Sequence, residues 1–313
     1  MGDEVKRRAL RLAALLLLAL PAARGAYAQR AVIEEVSASG DADHFGVFHL
    51  RTGVLSGYDS PLRYYGAAVQ VTRYAQGGWH GDAPAVLLLW RNQKRETLAG
   101  TMAEAGVVRV EGRTRVIGDA TWSLRPNART GIELLGASGL VETRRALQSA
   151  ITHHFAAVSA ERQAGERFTA VGLAGYQRFS DGNERIHLRA RLIWMLIPAQ
   201  GLSAQLRWRR FESRGSVSGV DYFNPARYGE WQAGLVMRKR RASWILSGTV
   251  AAGRESIDGN ASRPTALAEL RAEGTIAARA HIIVNASYNR SAGFGLAERY
   301  WYRTIGLSLR LPL

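Results

Sequence analysis

The chain ends on a strict alternation. Ile305, Leu307, Leu309, Leu311 and Leu313 are apolar, and Thr304, Gly306, Ser308 and Arg310 stand between them. Period two is the mark of a β-strand with one oily and one polar face. The pattern recurs upstream. Ile186, Leu188, Ala190, Leu192 and Trp194 alternate with His187, Arg189, Arg191 and Ile193. Leu202, Ala204, Leu206 and Trp208 alternate with Ser203, Gln205, Arg207 and Arg209, and similar runs fill 231–238, 265–276 and 281–288. Helical spacing does not set arginine at every second residue and leucine at the others.

Extended over the chain, the pattern predicts sixteen strands: about 31–38, 43–56, 62–75, 83–93, 97–110, 113–125, 128–140, 146–163, 166–179, 183–197, 200–213, 226–239, 242–255, 262–276, 279–291 and 299–312. Two stretches read less cleanly. Ala85–Trp90 is continuously apolar, so its facing is not readable. Residues 144–160 also suit a helix, because Arg144, Arg145, Leu147, Gln148 and Ala150 favour one. Strand is the assignment taken, and a helix there would be an insertion in a barrel.

An even strand count and unequal connections point to a membrane barrel with both ends on one side. The longer connections, Ala75–Asp82, Arg214–Pro225, Glu255–Ala261 and Ala292–Glu298, all follow odd strands. The short ones, near Lys94–Glu96, Ala164–Gly165, Pro198–Ala199, Arg240–Arg241 and Ala277–Ala278, follow even strands. Trp122, Trp194, Trp208, Trp231 and Trp244 fall on the oily face. In a soluble sandwich these tryptophans would be core, and a sandwich with a polar inner layer would have nowhere to bury so many arginines, since unpaired buried charge is prohibitive. A water-filled barrel of about sixteen strands accepts them. The expected fold is therefore an all-β transmembrane antiparallel barrel of about 16 strands, with a range of about 12 to 16.

The N-terminus adds a compartment. Lys6, Arg7, Arg8 and Arg11 precede the apolar run Leu12–Ala22, and Ala26-Tyr27-Ala28 is a small-x-small cleavage site. Residues 1–28 thus read as a cleaved signal peptide and 29–313 as the barrel of a Gram-negative outer membrane. No later run approaches the length of a transmembrane helix. The chain has no cysteine, which removes disulfides and thiolate chemistry. Its formal charge is +16. Residues 1–28 hold five cations and two acids, so +13 belongs to 29–313. In an exported chain such charge suits lipopolysaccharide phosphates, an acidic glycan or anionic solutes rather than nucleic acid, for which no motif is present.

Catalytic signatures are lacking. The histidines form no HExxH spacing, and His153 and His154 would point to opposite faces of one strand. There is no G-x-S-x-G elbow. No enzyme activity, cofactor or metal is expected. The candidate chemistry is a basic inner face: Arg115, Arg189, Arg191, Arg207, Arg209, Arg238, Arg271 and Arg310, with Glu269 and Glu273 beside them. It reads either as a cationic pore lining or as lumenal ion networks that brace the wall. Outward basic residues such as Arg303 suit lipopolysaccharide or the membrane interface. The string Tyr222-Phe223-Asn224-Pro225-Ala226-Arg227-Tyr228-Gly229-Glu230-Trp231 marks a turn entering a strand. Tyr222, Phe223 and Tyr228 are either a loop anchor or platforms for sugar rings.

That string, with Gly175–Asn183 and Leu206-Arg207-Trp208-Arg209-Arg210, resembles the C-terminal barrel of bacterial exopolysaccharide export porins, such as the poly-N-acetylglucosamine porin and the outer-membrane subunit of cellulose secretion. The motif similarity covers about 140–313. The resemblance implies a sixteen-stranded barrel and passive passage of a growing glycan. Those porins carry a tetratricopeptide array ahead of the barrel, whereas here the leader runs straight into strands and the last residue is Leu313 rather than an aromatic. A lone barrel of this kind implies a separate periplasmic tetratricopeptide partner or another role. The expected function is a pore for polysaccharide export through an arginine-lined lumen. The alternatives are a general or anion-selective diffusion porin and a structural or lipid-modifying barrel with a plugged lumen.

Overall fold

A computed structural model describes residues 29–215, 221–276, 280–291 and 300–313. The leader expected at 1–28, the connection Ala292–Glu298 and the turn Ala277–Ala278 lie outside them.

Sixteen antiparallel strands close into one ring. They are β1 (Gln29–Asp41), β2 (Phe45–Ser60), β3 (Arg63–Gln76), β4 (Trp79–Gln93), β5 (Gly100–Val110), β6 (Arg113–Asn127), β7 (Thr130–Leu140) and β8 (Thr152–Ala164). Then come β9 (Phe168–Phe179), β10 (Glu184–Ile197), β11 (Leu202–Arg214), β12 (Arg227–Arg241), β13 (Trp244–Ile257), β14 (Arg263–Ile276), β15 (Ala280–Arg290) and β16 (Tyr302–Pro312). Each strand pairs with its sequence neighbours, and β1 pairs with β16 from Ala31↔Pro312 to Asp41↔Tyr302. Closure removes the free edges that a bilayer cannot satisfy.

The alternation read from the sequence sorts side chains as expected. Leu88, Val116 and Leu270 are each 67% exposed on the outer face, as are many other leucines, valines and tryptophans. Such a surface is stable only against lipid. Trp122, Trp194, Trp208 and Trp231 are exposed on that face, and Trp244 shares it with Leu246. The ambiguous run resolves by register: Leu87 pairs with the inward Ala68 and is 1% exposed, while its neighbour Leu88 points out.

Connections differ at the two ends. On the side of the termini they span 61–62, 94–99, 128–129, 165–167, 198–201 and 242–243; on the other they include 141–151, 215–226 and 291–301. The long side is extracellular and the short side periplasmic. Three expectations need correction. Ala75–Asp82 is not a long loop: β3 continues to Gln76 and β4 starts at Trp79, because Gly77 takes a positive φ of 59° and closes a tight turn. The turn near Lys94–Glu96 is longer than expected and runs over 94–99. The segment 146–163 is not one strand. Its first part belongs to a short helix, α1 (Arg144–Gln148), and β8 begins at Thr152. Thr143 caps α1 by accepting from the Ala146 amide at 3.3 Å.

The interior is not uniformly wet. Ala31, Ile33, Leu55, Tyr58, Ala68, Leu87 and Leu89 pack into one buried cluster on β1–β4. Phe45, Tyr74, Ala83, Ala85, Val108 and Val110 form a second on β2–β5, with Leu147 of α1 and Ala150 inserted into it. That side of the lumen is filled by its own side chains. A cavity of about 730 Å³ lies against β6–β12, β14 and β15, and a smaller one of about 330 Å³ remains on β2–β7 beside Arg51, Glu104 and Asp119.

Candidate functional site: the lumen and its extracellular strap

Two extracellular segments, 141–151 and 221–226, fold inward and meet. In 141–151, α1 turns Leu147 and Ala150 toward β2–β5, and Glu142 accepts from the Tyr74 hydroxyl of β3 at 3.0 Å. Burial pushes the Glu142 carboxyl above its usual range, and the Tyr74 bond offsets part of this. The carbonyls at the end of α1 are capped from β6: Arg113 donates to Ser149 at 2.9 Å and Arg115 to Ala150 at 3.1 Å. On the other flank Thr143 Oγ1 donates to the Asp221 carbonyl at 2.5 Å. Tyr222 then packs with Ala146, Ile151 and Phe179 of β9.

The 221–226 segment is held in turn. The Tyr222 ring stacks on Phe179 at 4.5 Å, and its hydroxyl donates to Asp181 Oδ2 at 2.9 Å. Asn183 Nδ2 donates to the Tyr222 hydroxyl at 3.0 Å. Burial, with Asp181 assisting, raises the Tyr222 hydroxyl above its ordinary pKa. Arg185 of β10 donates to the Phe223 carbonyl at 2.8 Å and to Asn224 Oδ1 at 3.0 Å, with its guanidinium 4.5 Å from the Phe211 ring. The two connections therefore form a strap anchored on β3 at one end and on β9 and β11 at the other. β3 and β11 lie half the ring apart, so the strap spans the mouth.

Tyr222, Phe223 and Tyr228 come together here. Tyr222 is 7% and Tyr228 1% exposed. Tyr228 stacks on Phe211 at 4.9 Å, and Phe223 meets both rings edge-on. In this conformation neither tyrosine offers an open face to a sugar; the string anchors the loop. Tyr228 also joins a buried polar network below the mouth. Its hydroxyl donates to Glu255 at 2.9 Å, and Arg209 donates to it at 2.9 Å and to Ser291 at 2.8 Å.

The predicted basic face is inward, but much of it is paired. Arg209 bonds Glu230, Arg207 lies 3.8 Å from Glu269, and Arg271 lies 3.0 Å from Glu273, which also meets His281 at 3.2 Å. Arg310 is buried at the periplasmic end of β16, over the Tyr64 ring at 5.5 Å. Arg115 belongs to the strap. Arg238 is exposed on the inner face near the periplasmic end of β12. Arg189 and Arg191 differ from the rest: both are exposed to the large cavity, and among the described residues neither has a carboxylate within 4 Å. Gln232, Ser159 and Asn289 line the same cavity. Opposite, on β2, Arg51 is neutralised by Glu35 at 3.1 Å and Glu104 at 2.9 Å.

The sequence reading missed Tyr74, Glu142, Asp181, Arg185 and Asp221. Arg185 was legible, since the alternation of β10 puts it on the same face as His187 and Arg189. The others act through a loop fold that periodicity does not encode.

No family model and no curated protein matches the sequence. Among solved structures, a bacterial polysaccharide outer membrane secretin superposes with a TM-score of 0.68 at 11% identity, covering 92% of this chain and 100% of that one. OprD from Pseudomonas aeruginosa gives 0.44 at 12% identity, covering 93% and 96%. CdiB from Acinetobacter baumannii gives 0.48 at 10%, covering 90% and 60%. At such identities the first likeness shows a shared fold. A closed sixteen-stranded barrel with this apolar exterior is a β-barrel protein of the Gram-negative outer membrane.

Proposed function

We propose that the chain is a pore through which a polysaccharide leaves the cell, with the strap as its exit gate. The observation that carries this reading is the lining of the large cavity. Arginines, glutamates, Ser159 and Asn289 set hydrogen-bonding groups around the cavity, suited to a polyhydroxyl chain held weakly at many points. The similarity to a polysaccharide secretin across that protein's full length supports it. A growing polymer has to displace the strap, whereas the barrel wall stays fixed. On the outer face, Arg303, 5.1 Å from the Trp301 ring, sits at the extracellular end where lipopolysaccharide phosphates lie. A separate periplasmic tetratricopeptide protein would feed the other end.

Deleting the gene should remove or reduce surface glycan while leaving small-solute uptake unchanged. Normal glycan with slowed anion uptake would instead favour a diffusion porin, the reading that exposed Arg189 and Arg191 support. A barrel that conducts in no state would favour a plugged structural role, for which the filled β1–β5 side speaks.

A further inference from the structure

We propose that the glycan is a polyanion, captured by a basic collar on the periplasmic end and passed to Arg189 and Arg191 inside. This rests on the polysaccharide-pore reading. The collar is a matter of charge placement. β12 ends on four consecutive cations, Arg238, Lys239, Arg240 and Arg241, all exposed. The periplasmic turns add Lys94, Arg95, Arg129 and Arg167, also exposed; the same turns hold two carboxylates, Glu96 and Glu166. The opposite rim is more evenly paired, as in Arg73–Asp82 at 3.6 Å and Arg210–Glu212 at 2.5 Å. An anion therefore meets attraction chiefly on the entrance side.

The basic residues do not stop at the rim. Arg238 and Arg240 share the inner face of β12 with Glu230 and Gln232. Deeper in, register forces like charges together: Arg189 stands directly opposite Arg209, and Arg191 opposite Arg207. Like charges in opposed positions are unfavourable. Glu230 relieves Arg209 and Glu269 partly relieves Arg207, which leaves the β10 pair facing the cavity. A guanidinium fork matches a carboxylate or phosphate group in shape and charge. The facing β2 wall holds Arg51 closed off by two carboxylates, so the charged edge of a passing chain turns toward β10 and β11. An acidic protein would account for the collar but not for cations continuing into the lumen.

The test uses the full chain in planar bilayers, with variants checked for folding by heat-dependent gel shift. Oligogalacturonate, uncharged malto-oligosaccharide and inorganic sulfate are added to each side. Oligogalacturonate should block current from the periplasmic side at a concentration about tenfold below that needed from the other side or with malto-oligosaccharide, and Arg189→Gln/Arg191→Gln should remove that advantage. Arg238→Gln/Arg240→Gln should slow blocking onset without changing release, more so at low salt. Equal block by the neutral oligomer overturns the polyanion assignment, and block by sulfate alone reduces it to a small-anion site. A collar variant with unchanged onset assigns the collar to an acidic protein instead. No conductance in any variant, the strap-released Arg115→Ala included, overturns the pore reading itself.

Discussion

Arg115 Nε on β6 donates to the Ala150 carbonyl across 3.1 Å, so one inward arginine of the barrel wall holds the strap shut from below. The bond is charge-assisted and ties down the turn that follows α1, whose own last carbonyls are already met by the Ser149, Ala150 and Ile151 amides. Arg115→Ala should release the α1 half of the strap, at a cost to closure of about 1.5 kcal/mol, or roughly tenfold in open population. Single-channel open probability reads this directly. An unchanged value would remove Arg115 from the gate.

Glu142 makes closure depend on pH. Its carboxyl is raised in the docked strap by burial and returns to the ordinary carboxylate range when the strap swings into water. Closure is therefore strongest below that ordinary range, and weakens as pH rises through the raised value. Channel opening should increase across that window, and Glu142→Gln should flatten the profile by keeping a neutral side chain beside Tyr74. His49, Arg51, Glu104 and Asp119 line the adjoining cavity, and a profile unaltered in the Gln variant would remove Glu142 from the gate.

Tyr222→Phe keeps the stack on Phe179 but deletes the hydroxyl that joins Asp181 and Asn183. The loss should be about 1 kcal/mol of loop stability, visible as faster hydrogen exchange in 221–226 with β9 and β10 unchanged. Tyr222→Ala removes the ring as well and should open the mouth further. Equal exchange in both variants would show that the hydroxyl alone carries the anchor, and wild-type exchange in Tyr222→Phe would assign it to the stack.

Leu87 and Leu88 are neighbours in opposite solvents. Leu88→Arg, facing lipid, should cost about 2–4 kcal/mol near the bilayer midplane. Leu87→Ala should cost about 2–5 kcal/mol by leaving a cavity in the β1–β4 cluster. Both lower the temperature of the heat-dependent gel shift. Leu88→Ala should be much milder than Leu87→Ala, because lipid fills the space it vacates.

Most of the wall was legible because period two repeats in nearly every strand, and the pairing of β1 with β16 follows once the strands are counted. Ala85–Trp90 was not, since both faces are apolar there: one meets lipid and the other a filled lumen, and sequence does not tell those solvents apart. The strap was legible only as an ambiguity at 144–160. Its Thr143 cap is local, but its docking depends on Tyr74, Asp181 and Asp221, which are distant in sequence. The alternation gives the inner arginines their facing, while their partners, such as Glu230 for Arg209, become clear only with register.

The packed layer on β1–β5 makes the hollow eccentric. A chain in transit would slide along a single rail, from Arg238 to Arg191 and Arg189, with a packed and internally paired wall behind it. Friction and selectivity would then reside on one flank and mechanical stiffness on the other. Substitutions could retune cargo on β10–β12 without softening the barrel, and repack β1–β5 without touching cargo.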